Sequence, residues 1–269
     1  MKRGILAGLG LSAALVLTGC IGGELGLPFR ATVDESRPLA AGGTLSLENT
    51  NGEVKVAAWD EARVRVEAVK RAGTERALEE LQVEIVGEGD RLSVRTRQPR
   101  GGFFGRGGQV DYRISVPRAA RIRVENVNGP VEVDGVEGPV DASTVNGSVS
   151  VAGAAGTVDA SSVNGGVEVD VARVDPAGRS RLKTTNGTVR LTLPRDASAE
   201  VEAGTVNGSV ACDFDLADGR KSRRKIEGRI GAGGARFDLG TVNGSVHVDR
   251  GLSPAESKPP AEATTATSR

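Results

Sequence analysis

The sequence predicts an all-β chain built as a parallel β-solenoid, a right-handed single-stranded β-helix, with an antiparallel β meander or sandwich as the alternative. Three observations carry that prediction. First, 38 glycines and only seven aromatic residues (five Phe, one Trp, one Tyr) among 269 residues favour tight turns and a core of small side chains. Second, an Asn-Gly pair recurs at Asn51-Gly52, Asn128-Gly129, Asn146-Gly147, Asn164-Gly165, Asn186-Gly187, Asn207-Gly208 and Asn243-Gly244. The last six are 18, 18, 22, 21 and 36 residues apart, and because 36 is twice 18 the spacing is a period. Third, the text after each of those six pairs alternates, with Val131/Val133, Val149/Val151, Val167/Val169, Val189/Leu191, Val210/Cys212 and Val246/Val248 on one face of a strand.

Taken in chain order, residues 1–19 read as a leader. Lys2 and Arg3 precede an apolar run from Ile5 to Leu17, too short to span ~30 Å of hydrocarbon, which takes about 20 residues, and laid out as a secretory signal. Its ending, Leu17-Thr18-Gly19-Cys20, resembles the bacterial lipobox. That resemblance implies that Cys20 becomes the lipidated first residue of the mature protein, anchored stably because several acyl chains hold where one is marginal. Ile21 follows, not Asp, which by the same resemblance favours the outer membrane where the bacterium has one.

Residues 20–30 are then the lipidated Cys and a linker. Residues 31–120 form an N-terminal β-rich lead-in, with strands expected at 44–49, 53–57, 63–69, 83–86, 92–96 and 110–116. A short helix is expected over 74–81, with Leu78 and Leu81 on its apolar side. Open strand edges invite association, so a cap is needed and the helix is a candidate for one. Residues 121–250 are the Val-Asn-Gly repeat. Phe214, Leu216, Phe237 and Leu239 sit in its double-length unit and predict a wider final turn. From residue 251 the composition turns to Ser, Pro, Ala, Thr and Glu and predicts a disordered tail.

Asn-Gly between alternating strands is also the strongest short-range hairpin signal, which keeps the antiparallel alternative open. Near-constant unit length and small Val in the same column of each unit suit a narrow interior filled by stacking. Parallel crossovers are usually right-handed, which gives the hand. In such a rod the Asn side chains are expected to form a ladder, with the Gly in left-handed backbone; Gly147→Val is therefore expected to destabilise through strain at positive φ.

The charge is balanced, with 35 basic and 35 acidic residues, so binding to nucleic acid by a basic surface is not expected. One His and two Cys leave too few ligands for a zinc site, and a Ser–His–acid or Cys–His centre would have to use His247, which falls on an outward strand position. No catalytic residue, metal or cofactor is expected. Cys212 shares the inward column and reads as a buried thiol. Asp134, Asp170, Asp213 and Asp249 follow the inward pairs, but Ala152 and Thr192 interrupt that column, so turn-forming Asp is the reading. Arg220, Lys221, Arg223, Arg224 and Lys225 form the densest basic cluster. It reads as a solvated loop, with contact to lipid phosphates, lipopolysaccharide or an acidic glycan as its functional alternative. The glycine-rich stretch 101–108 lacks the Lys-Ser/Thr of a phosphate-binding loop, and its Phe103 and Phe104 are expected to fold back over an open end.

Residues 223–246, the repeated Val-Asn-Gly-Ser-Val units and Asn51-Gly-Glu-Val-Lys-Val-Ala-Ala-Trp59-Asp60 together resemble the bacterial DUF4097 family, across roughly residues 29 to 250. Members are described as adhesin-like proteins with β-strand repeats, related to auto-transporter adhesin head-like domains. The resemblance brings no catalytic residues. It implies a non-enzymatic, lipid-anchored envelope protein, an adhesin or interaction scaffold, held to the membrane and presenting its surface to an envelope glycan, lipid or protein, or to itself. Two alternatives remain: a polysaccharide-acting β-helix enzyme, which needs converging carboxylates in a groove, and an envelope-stress signalling accessory.

Overall fold

Alternating Val and polar residues become strands almost wherever they occur. The structure, a computed structural model, describes residues 27–98 and 108–251. In chain order the elements are β1 (Phe29–Glu48), β2 (Val54–Trp59), β3 (Arg63–Ala72), α1 (Glu75–Glu80), β4 (Gln82–Arg97) and β5 (Gln109–Pro117). The repeat follows as β6 (Arg121–Glu125), β7 (Val131–Asp134), β8 (Val140–Asn146), β9 (Val149–Ala154), β10 (Val158–Asn164), β11 (Val167–Val171), β12 (Arg179–Asn186) and β13 (Val189–Leu193). The chain continues with β14 (Ala199–Asn207), β15 (Val210–Cys212), β16 (Ala217–Lys221), β17 (Lys225–Ile230), β18 (Ala235–Asn243) and β19 (Val246–Arg250).

Each Asn-Gly pair turns the chain out of one parallel sheet and into another. Strands before the corner stack in register, with Val158 beside Val140 and Asn164 beside Asn146. Strands after it do the same, with Val167 beside Val149 and Val246 beside Val189. The chain is therefore an all-β, β-solenoid-like stack and not a meander of hairpins. The local reason is visible in the backbone. A two-residue hairpin turn of type I′ needs positive φ at both residues, yet among the described residues Asp218 is the one non-glycine at positive φ.

The two sheets face each other across a narrow core. Leu47, Val124, Ala142 and Ala160 from the pre-corner sheet oppose Val56, Val133, Val151 and Val169 from the post-corner sheet, and all are buried. Because the side chains are small, the sheets come close, and each fully buried Val contributes about 1.5–3 kcal/mol.

The expectation that Gly147 is glycine because of its φ is corrected. Five corner glycines have positive φ, from 124° at Gly52 to 159° at Gly187, but Gly147 and Gly208 are not among them. What every corner shares is close approach of backbone to backbone. A Cβ on Gly147 would lie 2.2 Å from the carbonyl oxygen of Gly129, and one on Gly208 would lie 1.8 Å from that of Gly244.

At both ends, the order along the axis departs from the order along the chain. β1 lies between β4 and β6, and β2 between β5 and β7. At the far end β18 inserts between β12 and β14, and β19 between β13 and β15. The first and last described coils are thus tucked one coil in from the end, where their strands are bonded on two edges instead of one. The double-length unit is correspondingly not a wider turn. Its extra residues build the antiparallel hairpin β16–β17 on β14 before the chain returns, and Phe214, Ile226 and Ile230 are buried beneath it.

The opposite end is closed by the first half of β1 and by β3, antiparallel to β5, with α1 packed against both strands. Thr74 caps α1 by accepting from the Ala77 amide at 3.1 Å. Lys70 Nζ donates to the carbonyls of Leu78 and Leu81 at its other end, and burial holds this amine below the usual lysine range. Nearby, the Tyr112 hydroxyl meets Thr96 Oγ1 at 2.6 Å, and Thr96 donates to Asn49 Oδ1 at 2.8 Å. Burial pushes the Tyr112 hydroxyl up to about 12, against a small opposing effect of the Thr96 contact.

Two outcomes follow from these contacts. Gly147→Ala should destabilise by about 1–3 kcal/mol through steric overlap, while Gly166→Ser should stay within about 0.5 kcal/mol of the parent in urea unfolding, because Ser148, Thr188, Ser209 and Ser245 hold the same position in other coils and its Cβ needs only a small shift from Thr188 O at 3.3 Å. An unfolded tyrosine ionises near pH 10 and the folded Tyr112 near pH 12. Its contribution of about 2–3 kcal/mol is therefore whole below pH 10 and lost as pH rises towards 12. Tyr112→Phe should abolish that alkaline loss in pH-dependent unfolding.

Candidate functional site

The corners form one straight edge of the solenoid, built of three adjacent columns. The innermost is polar and almost wholly buried: Asn49, Asn126, Thr144, Ser162, Thr184, Thr241 and, in the last coil, Thr205. Stacking the corners leaves six of the seven corner Gly carbonyls aimed at the next coil, partly or wholly buried there. The buried column supplies the donor. Thr144 Oγ1 donates to Gly129 O at 3.0 Å, Ser162 Oγ to Gly147 O at 2.7 Å and Thr184 Oγ1 to Gly165 O at 2.7 Å. Thr241 and Thr205 repeat the contact with Gly187 O and Gly244 O, and Asn126 Nδ2 makes it with Gly52 O. These residues escape a reading centred on Val-Asn-Gly. The signal was nonetheless present, as a Ser or Thr two positions before five of the seven Asn.

The outermost column is the asparagine ladder. Asn128 donates to Asn51, Asn146 to Asn128, Asn164 to Asn146, Asn186 to Asn164, Asn243 to Asn186 and Asn207 to Asn243, every Nδ2–Oδ1 distance being 2.8 or 2.9 Å. Asn51 closes the near end by donating to Gly108 O at 3.2 Å. The ladder follows axial order, so Asn243 precedes Asn207.

Between the two runs an exposed column of Val127, Val145, Val163, Val242 and Val206, with Thr50 and Thr185 at the same position of their coils. Scattered surface valines need no explanation, whereas this column stacks five of them, with Thr185 between Val163 and Val242. Six spacings of ~4.8 Å make it about 29 Å long.

The basic cluster stands at the far end of this edge. Hairpin β16–β17 turns at Ser222, and its tip stands in for the next coil: Thr205 N donates to Arg224 O and Val210 N to Arg223 O, both at 2.9 Å. Lys225 is tied to Glu202 at 3.1 Å and Glu227 at 3.5 Å. The side chains of Arg220, Lys221, Arg223 and Arg224 are exposed and have no ion-pair partner among the described residues. The fold thus gathers four unpaired cations beside Val206, itself 57% exposed.

Other singled-out residues are not drawn into this site. His247 points outward between Arg190 and Ala211. Asp134, Asp170 and Asp249 are strand residues facing outward, not turn residues, which corrects that reading; Asp249 pairs with Arg190 at 2.5 Å. Cys212 keeps the inward register beside Val248 but is only half-buried, because β15 is the last strand of its sheet. Burial still pushes its thiol up, away from reactivity. Cys20, Phe103, Phe104 and the tail beyond residue 251 lie outside the described residues.

Carboxylates do converge on the outer face of the hairpin and β14, in a cavity of about 330 Å³ lined by Glu200, Glu202, Asp218 and Glu227 together with Arg229 and Arg236. Lys225 holds Glu202 below the usual carboxylate range, and Arg229 pairs with Asp218. A glycosidic acid needs the opposite shift. Among the described residues no group of His, Cys, Asp and Glu could hold a metal ion.

The chain matches the model of the family described as Toastrack DUF4097 over residues 43–249. Among solved structures it is similar to a proposed cell adhesion protein from Clostridium sporogenes, at 12% identity and a TM-score of 0.45, covering 81% of this chain and 99% of that one. It is also similar to a proposed adhesin from Bacteroides fragilis, at 10% identity and a TM-score of 0.36, covering 81% and 96%. A third is a proposed lipid binding protein from Parabacteroides distasonis, at 9% identity and a TM-score of 0.26, again covering 81% and 96%. No curated protein matches the chain in sequence.

The buried hydroxyl column yields a paired test. Thr184→Val should cost about 1–3 kcal/mol in thermal or urea unfolding, because it leaves Gly165 O without a donor. Thr185→Val, one residue on and outward-facing, should change stability by less than about 0.5 kcal/mol.

Proposed function

The chain belongs to the Toastrack DUF4097 family, and from that premise we propose a non-enzymatic interaction scaffold of adhesin-like type, lipid-anchored in the cell envelope. The observation that carries the reading is the corner edge, which spends its hydrogen bonds along its own axis and presents a mostly valine column ending in four cations that have no ion-pair partner among the described residues. Such an edge can dock and has no group placed to react.

The anchor rests on the leader and its lipobox, with Cys20 as the lipidated residue and the outer membrane favoured where there is one. The described chain enters at β1, at the opposite end of the stack from hairpin β16–β17. Eight stacked coils separate these ends by about 35 Å. A protein tethered near one end therefore carries Arg220, Lys221, Arg223 and Arg224 away from its anchor, toward an anionic envelope component. Balanced overall charge confines this attraction to the tip.

Two measurements test the reading. Cys20→Ala should move the protein from the membrane fraction to the soluble fraction of cells. The purified mature domain should bind phosphatidylglycerol vesicles in preference to phosphatidylcholine vesicles, and replacing Arg220, Arg223 and Arg224 together by Gln should weaken that binding about tenfold and flatten its salt dependence. Turnover of any envelope polysaccharide by the parent protein would restore the enzyme alternative.

A further inference from the structure

A second site lies on the outer face of the pre-corner sheet, near the N-terminal end and away from the distal hairpin. β4 bends at Gly87 and Gly89, both at positive φ. Val86 and Gly87 of that bend wall a groove of about 660 Å³ that crosses β4, β1, β6, β8 and β10. Five strands give four spacings, so the groove runs about 19 Å along the solenoid axis.

Parallel in-register stacking places its outward side chains in rows. Thr44 has Arg91 beside it on one strand and Arg121 on the other, which sets the two arginines about 10 Å apart. In the next row Ser93, Ser46 and Arg123 are neighbours, followed by Asp141 and Asp159. Most arginines nearby are engaged: Arg95 with Glu48, Arg123 with Glu125 and Arg118 with Asp60. Arg91 and Arg121 have no ion-pair or hydrogen-bond partner for their side chains among the described residues, nor does Asp159. The side-chain hydroxyls of Thr44, Ser46 and Ser93 are equally unengaged.

The lining restricts the ligand. Guanidinium forks a fixed distance apart favour planar anions, which they can hold bidentately. Free hydroxyls and a free carboxylate favour a ligand rich in hydroxyl groups. Among the large apolar side chains of the lining Val86 is exposed, while Leu92, Ile122 and Val140 are buried in the core. An extended peptide cannot add as a strand here, because the groove floor is a sheet face whose backbone groups pair between coils.

We propose that this groove binds an acidic glycan lying along the solenoid axis, with its carboxylates on Arg91 and Arg121 and its hydroxyls on Thr44, Ser46 and Asp159. The site stands whether or not the distal cluster binds anything.

Calorimetric titration of the mature domain with oligogalacturonate and oligoalginate, against cellotetraose, inorganic phosphate and phosphatidylglycerol vesicles, tests it. At least one acidic oligosaccharide should bind saturably and the neutral one should not. The double variant Arg91→Gln/Arg121→Gln, with its unfolding midpoint unchanged, should lose affinity about tenfold or more, and Arg223→Gln/Arg224→Gln should lose none. Three results would overturn the proposal: no binding of either acidic glycan, equal binding of cellotetraose, or full affinity in the double variant. Phosphate or vesicle binding that disappears in the double variant, without glycan binding, would reassign the groove to an isolated phosphate group.

Discussion

The rest of the structure depends on how closely one corner can lie upon the next. Coils bonded through their backbones sit ~4.8 Å apart, and at the corner the carbonyl oxygen of one glycine occupies the space a Cβ on the next would need. Only glycine fits. Once glycine is there, its carbonyl is enclosed by the following coil and must be satisfied, because a buried acceptor without a donor costs about 1–3 kcal/mol. The Thr and Ser column meets that demand from inside, and the asparagine ladder holds the same corners from outside. Parallel register and a core of small valines are consistent with that spacing.

A stack made by repetition has a weakness at its ends, where the outermost coil has a partner on one side only. Here the chain's own first and last coils are not the outermost ones. β1–β2 and β18–β19 are each enclosed by a coil formed elsewhere in the chain, so these strands are less prone to fray than free edges. Antiparallel strands then close the two ends, β3 with half of β1 at one and β16–β17 at the other. The closing strands carry many charges, a common defence against edge-to-edge pairing.

Fixed inward columns leave the outward positions free to differ. Along one outer row the residues run Ser46, Arg123, Asp141, Asp159, Arg181 and Asp238. Neighbours of opposite sign often pair there, as Arg181 does with Asp238 at 3.8 Å, and exposed pairs of this kind contribute little to stability. The informative positions are those where pairing fails. Arg223 and Arg224 at the distal tip, and Arg91 and Arg121 in the groove, are cations that the fold holds without a counterion among the described residues. The framework is thus separable from what it displays.

Much of this was legible from the order of residues, for a physical reason. Val alternation and the Asn-Gly period are local signals, each complete within about 18 residues, so strands, corners, the inward valines and the short helix with Leu78 and Leu81 inside could be read without knowing what lay beside them. The buried Thr column is equally local, a Ser or Thr two residues before five of the Asn. Other features depend on which coil ends beside which. β18 enters between β12 and β14 only because the intervening hairpin lets the chain double back, and nothing in residues 208–242 announces that insertion. The groove is of the same kind: Arg91, Thr44 and Arg121 are far apart in sequence and meet because β1 sits between β4 and β6. Periodicity alone specified the coil, since every coil repeats the same short-range chemistry; the sequence of coils along the axis, and the surfaces it assembles, was decided only by long-range pairing of edges.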